Sequence, residues 1–194
     1  MIEPCIINIC GNIASGKSTL AIALKDWFNY AVVLEDTSRI SLFDDYCKNP
    51  KRWAATTQIQ FLTDKISRMV AANKEHVTII DRSLFEDAMI FARIHADIEN
   101  ITAQDYEAYL QIYNNAVKFL PKRQINILVV CSAHEQTRRI RYRGKNEREM
   151  LNSKYLLSLS ERYKHFENMV EFDYIFNSER DEFQSAISYV ANSI

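Results

Sequence analysis

Glycine, proline and cysteine are scarce in this chain, and each scarcity narrows what the protein can be. The 194 residues include three glycines, three prolines and four cysteines. Collagen-like, low-complexity and disulfide-rich architectures are therefore excluded. The cysteines at 5, 10, 47 and 131 show no C-x-x-C spacing. We expect reduced thiols in a cytoplasmic protein.

A dominant charge and a long apolar run are also missing. The 24 basic and 25 acidic residues give a formal net charge of −1, so no overall field attracts the chain to nucleic acid or to a membrane. The first apolar stretch is short and contains Asn8, which argues against a signal peptide or a spanning helix. With 47% hydrophobic and 25% charged residues, we expect one globular domain over residues 1–194, with neither nucleic acid nor membrane as a partner.

Two of the three glycines lie in one motif. Residues 11–19 read G-N-I-A-S-G-K-S-T and fit G-x-x-x-x-G-K-[ST], between an apolar run and a helical pattern. The backbone N–H groups of such a loop and the following helix N-terminus attract phosphate. Lys17 adds a cation for the terminal phosphates, and the Ser18 hydroxyl suits Mg²⁺. The predicted phosphate loop consists of Gly11, Asn12, Ile13, Ala14, Ser15, Gly16, Lys17, Ser18 and Thr19.

Continuous apolar runs alternate with helical patterns along the whole chain. Such runs are typical of strands covered on both faces, and the long segments between them suit the crossovers of a parallel sheet. The sequence predicts an α/β fold with three layers, in which helices flank a five-stranded parallel sheet. The predicted strands are 6–10, 31–34, 77–80, 125–130 and 172–176. The predicted helices are 17–30, 41–47, 54–74, 85–96, 103–119, 135–143, 151–169 and 179–192.

Charged residues follow the predicted strands, and in such sheets ligands bind beyond the carboxyl ends of the strands. Glu35 follows the second strand, where a carboxylate could accept the proton of an attacking hydroxyl. Asp81 follows the third strand and is placed to hold Mg²⁺, and Arg82 next to it has a planar fork suited to phosphate or to a carboxylate. A helix cap for Glu35 and a simple Asp81–Arg82 ion pair are the structural alternatives.

A basic cluster at about 138–149 follows the fourth strand. Arg139 and Arg143 lie one helical turn apart, and Lys145 follows a glycine. Such a cluster could close over ATP as a lid and stabilise charge on a transferred phosphoryl group. A solvated helix face and an arginine-rich RNA-binding segment are the alternatives.

These features together resemble the deoxynucleoside kinase family, which includes deoxycytidine, deoxyguanosine and deoxyadenosine kinases. Residues 11–19 match its G-N-I-[GA]-S-G-K-[ST]-T, and residues 81–83 match its [ED]-R-S. Tyr46, residues 50–53 and Gln58 are similar to its Y-x-x-[DN]-P-x-x-W-x-x-x-x-Q segment, and 139–145 to its lid. The chain departs from the family after the second strand, where E-D-T-S-R-I stands in place of E-P-x-x-x-W.

The resemblance implies a phosphate-loop kinase fold, ATP or GTP as donor, Mg²⁺, a deoxynucleoside as acceptor and a homodimer. It implies that Glu35 is the base that deprotonates the 5′-hydroxyl and that Arg82 orients it. The remaining implied roles are base recognition by Gln58 and Phe91, sugar contact by Tyr46 and by Glu147 or Glu149, and a lid formed by Arg139, Arg143 and Lys145.

Helix geometry adds a hypothesis about the base. Gln58 and Lys65 share one helix face, and Asp87 and Phe91 lie one turn apart on another helix. Beside Lys65, an ionised Asp87 could accept a hydrogen bond from an exocyclic amine. We therefore expect deoxyadenosine, deoxyguanosine or deoxycytidine in preference to thymidine, although a buried Lys65–Asp87 pair could be purely structural.

Two other functions remain open from the sequence. A nucleoside monophosphate kinase of the thymidylate type would share the fold, the loop and the lid. It would need an extra cation for its acceptor phosphate, and Arg39 and Arg52 are the candidates. A non-enzymatic nucleotide-binding or RNA-binding protein would bind ATP without turnover, or RNA with strong salt dependence.

Overall fold

The computed structural model describes residues 3–72, 76–143, 151 and 153–194. Its five strands form one parallel sheet in the order β2-β3-β1-β4-β5. The predicted α/β class and the five-stranded parallel sheet are confirmed. The strands are β1 (Cys5–Cys10), β2 (Ala31–Val33), β3 (Val77–Asp81), β4 (Arg123–Val130) and β5 (Tyr174–Asn177).

Helices cover both faces of this sheet. One of them, α4, runs over residues 84–97 without a break and contains a π-helical segment at Asp87–Ala92. A short 3₁₀ turn, Thr37–Arg39, follows β2. The other described helices are α1 (Lys17–Phe28), α2 (Phe43–Lys48), α3 (Pro50–Ala72), α5 (Ala103–Val117), α6 (Ala133–Ile140), α7 (Ser153–Met169) and α8 (Phe183–Ser193).

The central strand β1 is buried on both faces, as its continuous apolarity predicts. Ile7 and Ile9 pack against α1 and α8, and both are 0% exposed. Ile6 faces α3 and α5, and Cys10 faces α4 and α7. The three layers follow from this arrangement. Among the described helices, none has both the length and the apolar character needed to cross a lipid bilayer.

Several predicted helix boundaries differ from the observed ones. Helix α6 ends at Ile140 rather than near residue 143, so Arg143 lies beyond it. Two other differences have local reasons. Helix α3 begins at Pro50 rather than near residue 54, because proline is well suited to the first turn of a helix. Helix α8 begins at Phe183 rather than near residue 179. The Glu179 carboxylate accepts hydrogen bonds from the backbone N–H and the hydroxyl of Ser132, so this segment is tied to the end of β4 before the helix starts.

The register of the sheet places the charged strand ends together. Ile9 pairs with Asp81 on one side and with Ile127 on the other. The loop that follows β1 therefore begins beside the last residue of β3, at the edge where parallel α/β sheets bind their ligands.

Candidate active site

The loop between β1 and α1 is shaped for an anion. Gly11 and Gly16 have φ values of +141° and +110°, a region that favours glycine. A Cβ on Gly11 would lie 2.3 Å from the Val129 carbonyl oxygen. Helix α1 begins after Gly16 with no side-chain cap in the described structure and no acidic residue in its first turn. Its first N–H groups therefore suit a phosphate.

Lys17 is buried at the base of this loop. It is 6% exposed, and its Nζ donates a hydrogen bond to the Asn12 carbonyl oxygen at 2.9 Å. Burial and the positive charge of Arg82 lower the pKa of Lys17, whereas Asp81, Glu86 and Glu35 raise it. These mutual effects place the ends of β1, β2 and β3 in one electrostatic site, as the sequence predicts.

Ser18 and Asp81 form the part of the site that fits a divalent cation. The Ser18 hydroxyl donates a hydrogen bond to Asp81 Oδ2. Asp81 is 1% exposed, and its Oδ1 has no hydrogen-bond partner among the residues described. A buried carboxylate oxygen beside a hydroxyl is the kind of hard oxygen donor that Mg²⁺ prefers. Within the described ranges no cluster of three or more His, Cys, Asp or Glu side chains could hold a metal ion.

Glu35 and Arg82 form an ion pair next to the loop. Arg82 Nη1 lies 2.7 Å from Glu35 Oε2. Burial opposes ionisation of Glu35, but Arg82, Lys65, Lys17 and Arg143 together hold its pKa below the ordinary value. The carboxyl group is therefore ionised at neutral pH, which is the form that accepts a proton.

A second pocket opens beside this pair, and we call it the acceptor pocket. Its enclosed space is about 40 Å³, smaller than most small-molecule sites. The pocket is lined by Ile13, Glu35, Thr37, Phe43, Tyr46, Gln58, Phe61, Arg82, Asp87, Phe91, Arg143, Leu151 and Tyr155.

Six residues with a predicted substrate role line the acceptor pocket: Glu35 and Arg82, described above, and Gln58, Phe91, Tyr46 and Asp87. Gln58 is 4% exposed, and no hydrogen bond from its amide to the described residues is found. Phe91 lies under the Arg82 guanidinium, whose Cζ is 3.7 Å from the ring centroid. Tyr46 and Asp87 are also buried at this wall. The pocket therefore combines aromatic side chains with an amide and a carboxylate, groups that suit a planar base.

Lys65 lies behind the pocket wall and not on it. Its Nζ forms an ion pair with Asp87 and donates a hydrogen bond to the Arg82 carbonyl oxygen at 2.9 Å. The two side chains are 2% and 5% exposed. Burial raises the pKa of Asp87 to about 6, while Lys65 and Arg82 oppose this effect. The predicted Lys65–Asp87 pair is therefore present, and Asp87 is the member that lines the acceptor pocket.

The arginines after β4 have different positions. Arg139 Nη1 donates to the Ala14 and Ser15 carbonyl oxygens at 3.0 and 2.9 Å, and Arg139 Nε lies 2.7 Å from Glu135. Arg139 thus braces the phosphate loop. Arg143 lines two spaces, the cleft over the phosphate loop and the acceptor pocket. Thr19 also lines the cleft over the phosphate loop. Lys145, Glu147 and Glu149, which the sequence assigns to the lid, lie outside the described residues.

Two buried residues near the site were not singled out by sequence reasoning. Glu86 is 0% exposed; it accepts hydrogen bonds from Gly11 N and Tyr163 Oη at 2.8 and 2.9 Å, and it caps α4 with Ser83. The S-x-x-E spacing of 83–86 was the available signal. His95 is 1% exposed and contacts Tyr46. No local pattern marks it.

Comparisons with known proteins agree with this geometry. The family model "Deoxynucleoside kinase" matches residues 7–187. A deoxyguanosine kinase of Lactobacillus johnsonii is 27% identical over 75% of this chain, and a deoxyadenosine/deoxycytidine kinase of Bacillus subtilis is 26% identical over 83%. The chain spans 66% and 76% of these two relatives.

Solved structures give the same result for the fold. Deoxyadenosine kinase from M. mycoides, with dCMP as a product and dCDP bound, superposes with a TM-score of 0.79 at 27% identity. The match covers 96% of this chain and 97% of that one. The same enzyme with bound dATP gives a TM-score of 0.78. The chain therefore belongs to the deoxynucleoside kinase family, whose members phosphorylate deoxynucleosides.

Proposed function

We propose that this protein transfers the γ-phosphoryl group of ATP to the 5′-hydroxyl of a deoxynucleoside. The observation that carries the proposal is the position of Glu35. Its ionised carboxylate lines the acceptor pocket and lies close enough to Lys17, at the phosphate loop, for each charge to shift the pKa of the other. A proton acceptor between an anion site and a small-molecule pocket is what phosphoryl transfer to an alcohol requires.

On the acceptor side, Glu35 takes the proton of the 5′-hydroxyl as this oxygen attacks the phosphorus. Arg82 holds the carboxylate in place through its Nη1 and stabilises charge that develops on the phosphoryl group. Because Arg82 is packed over Phe91 at 3.7 Å, the fork is fixed before the substrate binds, and less reorganisation is needed during the reaction.

On the donor side, the residues of the phosphate loop from Gly11 to Thr19 hold the triphosphate. The N–H groups at the start of α1 and the Lys17 ammonium bind its β- and γ-phosphates. Ser18 and Asp81 would hold Mg²⁺, which neutralises phosphate charge when bound. Arg143 reaches this space from the lid side, and we assign Lys145 to the same task by family resemblance.

For the base, we propose recognition by Gln58, Asp87 and Phe91, with Lys65 keeping Asp87 ionised. An ionised Asp87 accepts a hydrogen bond from an exocyclic amine, which adenine, guanine and cytosine carry and thymine lacks. We therefore assign deoxyadenosine, deoxyguanosine or deoxycytidine as acceptor. The relatives named above act on these three nucleosides.

For the sugar, we propose that Tyr46 and a lid glutamate, Glu147 or Glu149, contact the 3′-hydroxyl.

We also propose a cytoplasmic homodimer, each subunit a single domain. Exposed apolar side chains on the α3 and α5 layer, with Val70 at 69% and Phe119 at 84% exposure, favour association of two chains. Light scattering of the purified protein measures the oligomeric state.

A monophosphate acceptor is disfavoured by the positions of the two arginines that would bind it. Arg39 pairs with Asp64 at 2.8 Å, and the Arg52 guanidinium lies 4.8 Å from the Trp53 ring centroid. Neither lines the acceptor pocket. The arginines that do line the pocket are Arg143 and Arg82. Arg82 is already paired with Glu35, so it is not an extra cation for an acceptor phosphate.

The test is a panel of four deoxynucleosides and their four 5′-monophosphates, each with ATP and Mg²⁺. We expect 5′-monophosphate products from at least one amino-base deoxynucleoside and no diphosphate products. Faster turnover of a 5′-monophosphate would instead assign a monophosphate kinase. ATP binding with no turnover of any acceptor would contradict the proposed activity, and RNA affinity that falls steeply with salt would support the RNA-binding alternative.

A further inference from the structure

His95 lies directly behind the acceptor pocket and contacts the residue proposed for the sugar. Its Nε2 is 2.6 Å from the Tyr46 hydroxyl. The two rings meet edge to face with centroids 5.3 Å apart. His95 is 1% and Tyr46 3% exposed. His95 does not itself line the acceptor pocket, so any effect on a substrate there passes through Tyr46.

The other side of the imidazole is held by Asn100. The Asn100 side-chain amide nitrogen lies 3.1 Å from His95 Nδ1, and the Asn100 backbone N–H donates to the His95 carbonyl oxygen at 2.8 Å. An amide N–H can only donate, so Nδ1 accepts this hydrogen bond and a neutral ring carries its proton on Nε2. His95 Nε2–H then donates to the Tyr46 oxygen.

This arrangement fixes the direction of the Tyr46 hydroxyl. Since the Tyr46 oxygen accepts from His95, its own proton points away from the imidazole. Burial and the adjacent Tyr155 raise the pKa of Tyr46 well above its usual range, so the hydroxyl keeps that proton. Tyr155 lines the acceptor pocket beside Tyr46. The Tyr46 and Tyr155 hydroxyls also share a hydrogen bond. Tyr46 is thus held at the pocket wall by His95 on one side and by Tyr155 on the other, in a chain that starts at Asn100.

We propose that His95 is a positioning residue for sugar recognition: by donating to the Tyr46 oxygen, it orients the Tyr46 hydroxyl toward the 3′-hydroxyl of the acceptor. This inference rests on the proposed function. If it is right, the enzyme prefers deoxynucleosides over 2′,3′-dideoxynucleosides, which lack the 3′-hydroxyl, in part because of His95. This histidine is buried and lies outside the predicted site.

The test compares kcat/KM for a deoxynucleoside with kcat/KM for its 2′,3′-dideoxy analogue. In His95→Phe, which keeps a ring and removes the donor, we expect an about tenfold loss for the deoxynucleoside and less than twofold change for the analogue. His95→Gln, whose amide N–H can donate to the same oxygen, is expected to restore most of the loss. His165→Gln, on the exposed face of α7, is the matched control.

A double-mutant cycle separates orientation of Tyr46 from general loosening of the fold. Tyr46→Phe alone should show the same selective loss, and adding His95→Phe to it should change the preference by less than twofold further, because the hydroxyl that His95 orients is already absent. Equal losses for both substrates in His95→Phe, or fully additive losses in the double variant, would overturn the inference. Absence of deoxynucleoside phosphorylation by the unsubstituted protein would instead overturn the proposed function.

Discussion

Arg82 contacts Glu35 and Phe91 at the same time. Its Nη1 is 2.7 Å from the Glu35 carboxylate, and its Cζ is 3.7 Å from the Phe91 ring centroid. The backbone of Arg82 has φ +70°, a conformation that costs free energy in a residue with a side chain. Its N–H donates to the Ile9 carbonyl oxygen at 3.0 Å. The turn after β3 thus fixes one guanidinium between the proposed proton acceptor and the proposed base platform.

Replacement of Glu35 by glutamine tests the proton acceptor. Glutamine retains the shape and can still contact Arg82, but it cannot take a proton from a hydroxyl. We expect kcat to fall by at least about 10², with ATP affinity changed by less than about threefold, because Glu35 lies on the acceptor side. Steady-state kinetics and calorimetric titration with ATP measure the two quantities.

The control for this substitution is Glu171→Gln, which changes an exposed glutamate after α7 and should leave kcat unaltered. A near-normal kcat in Glu35→Gln would remove Glu35 from the mechanism. A parallel loss of ATP affinity would show instead that Glu35 supports the phosphate loop and not proton transfer.

Asp81→Asn tests the cation site. Asp81 Oδ1 is buried without a partner while Oδ2 accepts from Ser18, and the neutral amide is a poorer ligand for a hard cation. We expect the Mg²⁺ concentration for half-maximal activity to rise at least about tenfold. Calorimetric binding of ATP without Mg²⁺ should be unchanged or tighter, because one negative charge near the phosphates is removed.

Asp45→Asn, on the exposed side of α2, is the matched control for loss of one carboxylate. If Mg²⁺ dependence were the same in Asp81→Asn as in the unsubstituted protein, the cation would have to be held elsewhere, and the role given to Ser18 and Asp81 would be wrong.

The sheet and the donor side of the site could be predicted from sequence because their signals are local. The mostly apolar run at 6–10 is short and leads into the motif at 11–19, which favours a buried strand over a helix. The motif itself predicts the geometry of the phosphate loop. The Lys65–Asp87 pair could also be predicted, because helical spacing places Lys65 with Gln58 and Asp87 with Phe91. The family resemblance assigns Gln58 and Phe91 to the same base.

The rest depends on long-range packing. The π-helical segment at Asp87–Ala92 shifts the direction of each later side chain in α4, and single-residue propensities do not encode such an insertion. His95 reaches Tyr46 from 49 residues away. The sequence places Arg139 in the predicted lid. In the structure Arg139 donates to the carbonyl oxygens of Ala14 and Ser15, and the positions of these oxygens depend on the fold of the loop.

Acidification tests the assignment of Asp87 to base recognition. Burial, the largest effect, raises the pKa of Asp87 to about 6. The carboxyl group is therefore ionised at pH 7.5 and becomes protonated below pH 6. We expect the ratio of kcat/KM for deoxyadenosine to kcat/KM for thymidine to decrease as the pH falls from 7.5 to 5, because the ionised acceptor of the exocyclic amine is lost.

The ratio of the two kcat/KM values does not depend on how much of the enzyme is folded, because both substrates are measured with the same preparation. Asp87→Asn does not titrate, so its ratio should be lower at pH 7.5 and constant over the same range. A ratio in the unsubstituted protein that does not change with pH, or one that is equally pH-dependent in Asp87→Asn, would make the Lys65–Asp87 pair purely structural.

The last prediction concerns stability and His95. Burial lowers the pKa of His95 to about 4, whereas the unfolded chain titrates near the ordinary value of about 6.5. Between these values the unfolded state binds more protons than the folded state, so the free energy of unfolding falls as the pH is lowered. From pH 6.5 to pH 5 this one group should remove about 1.6 kcal/mol.

Urea denaturation of the unsubstituted protein and of His95→Gln isolates that contribution, because other titrating groups act equally in both. The unsubstituted protein should lose about 1.6 kcal/mol more than His95→Gln between pH 6.5 and pH 5, while His165→Gln, with its exposed position on α7, should follow the unsubstituted protein. If all three proteins lost stability in parallel, His95 would be hydrated or protonated in the folded state. The neutral imidazole that donates to Tyr46 would then be the wrong description of this residue.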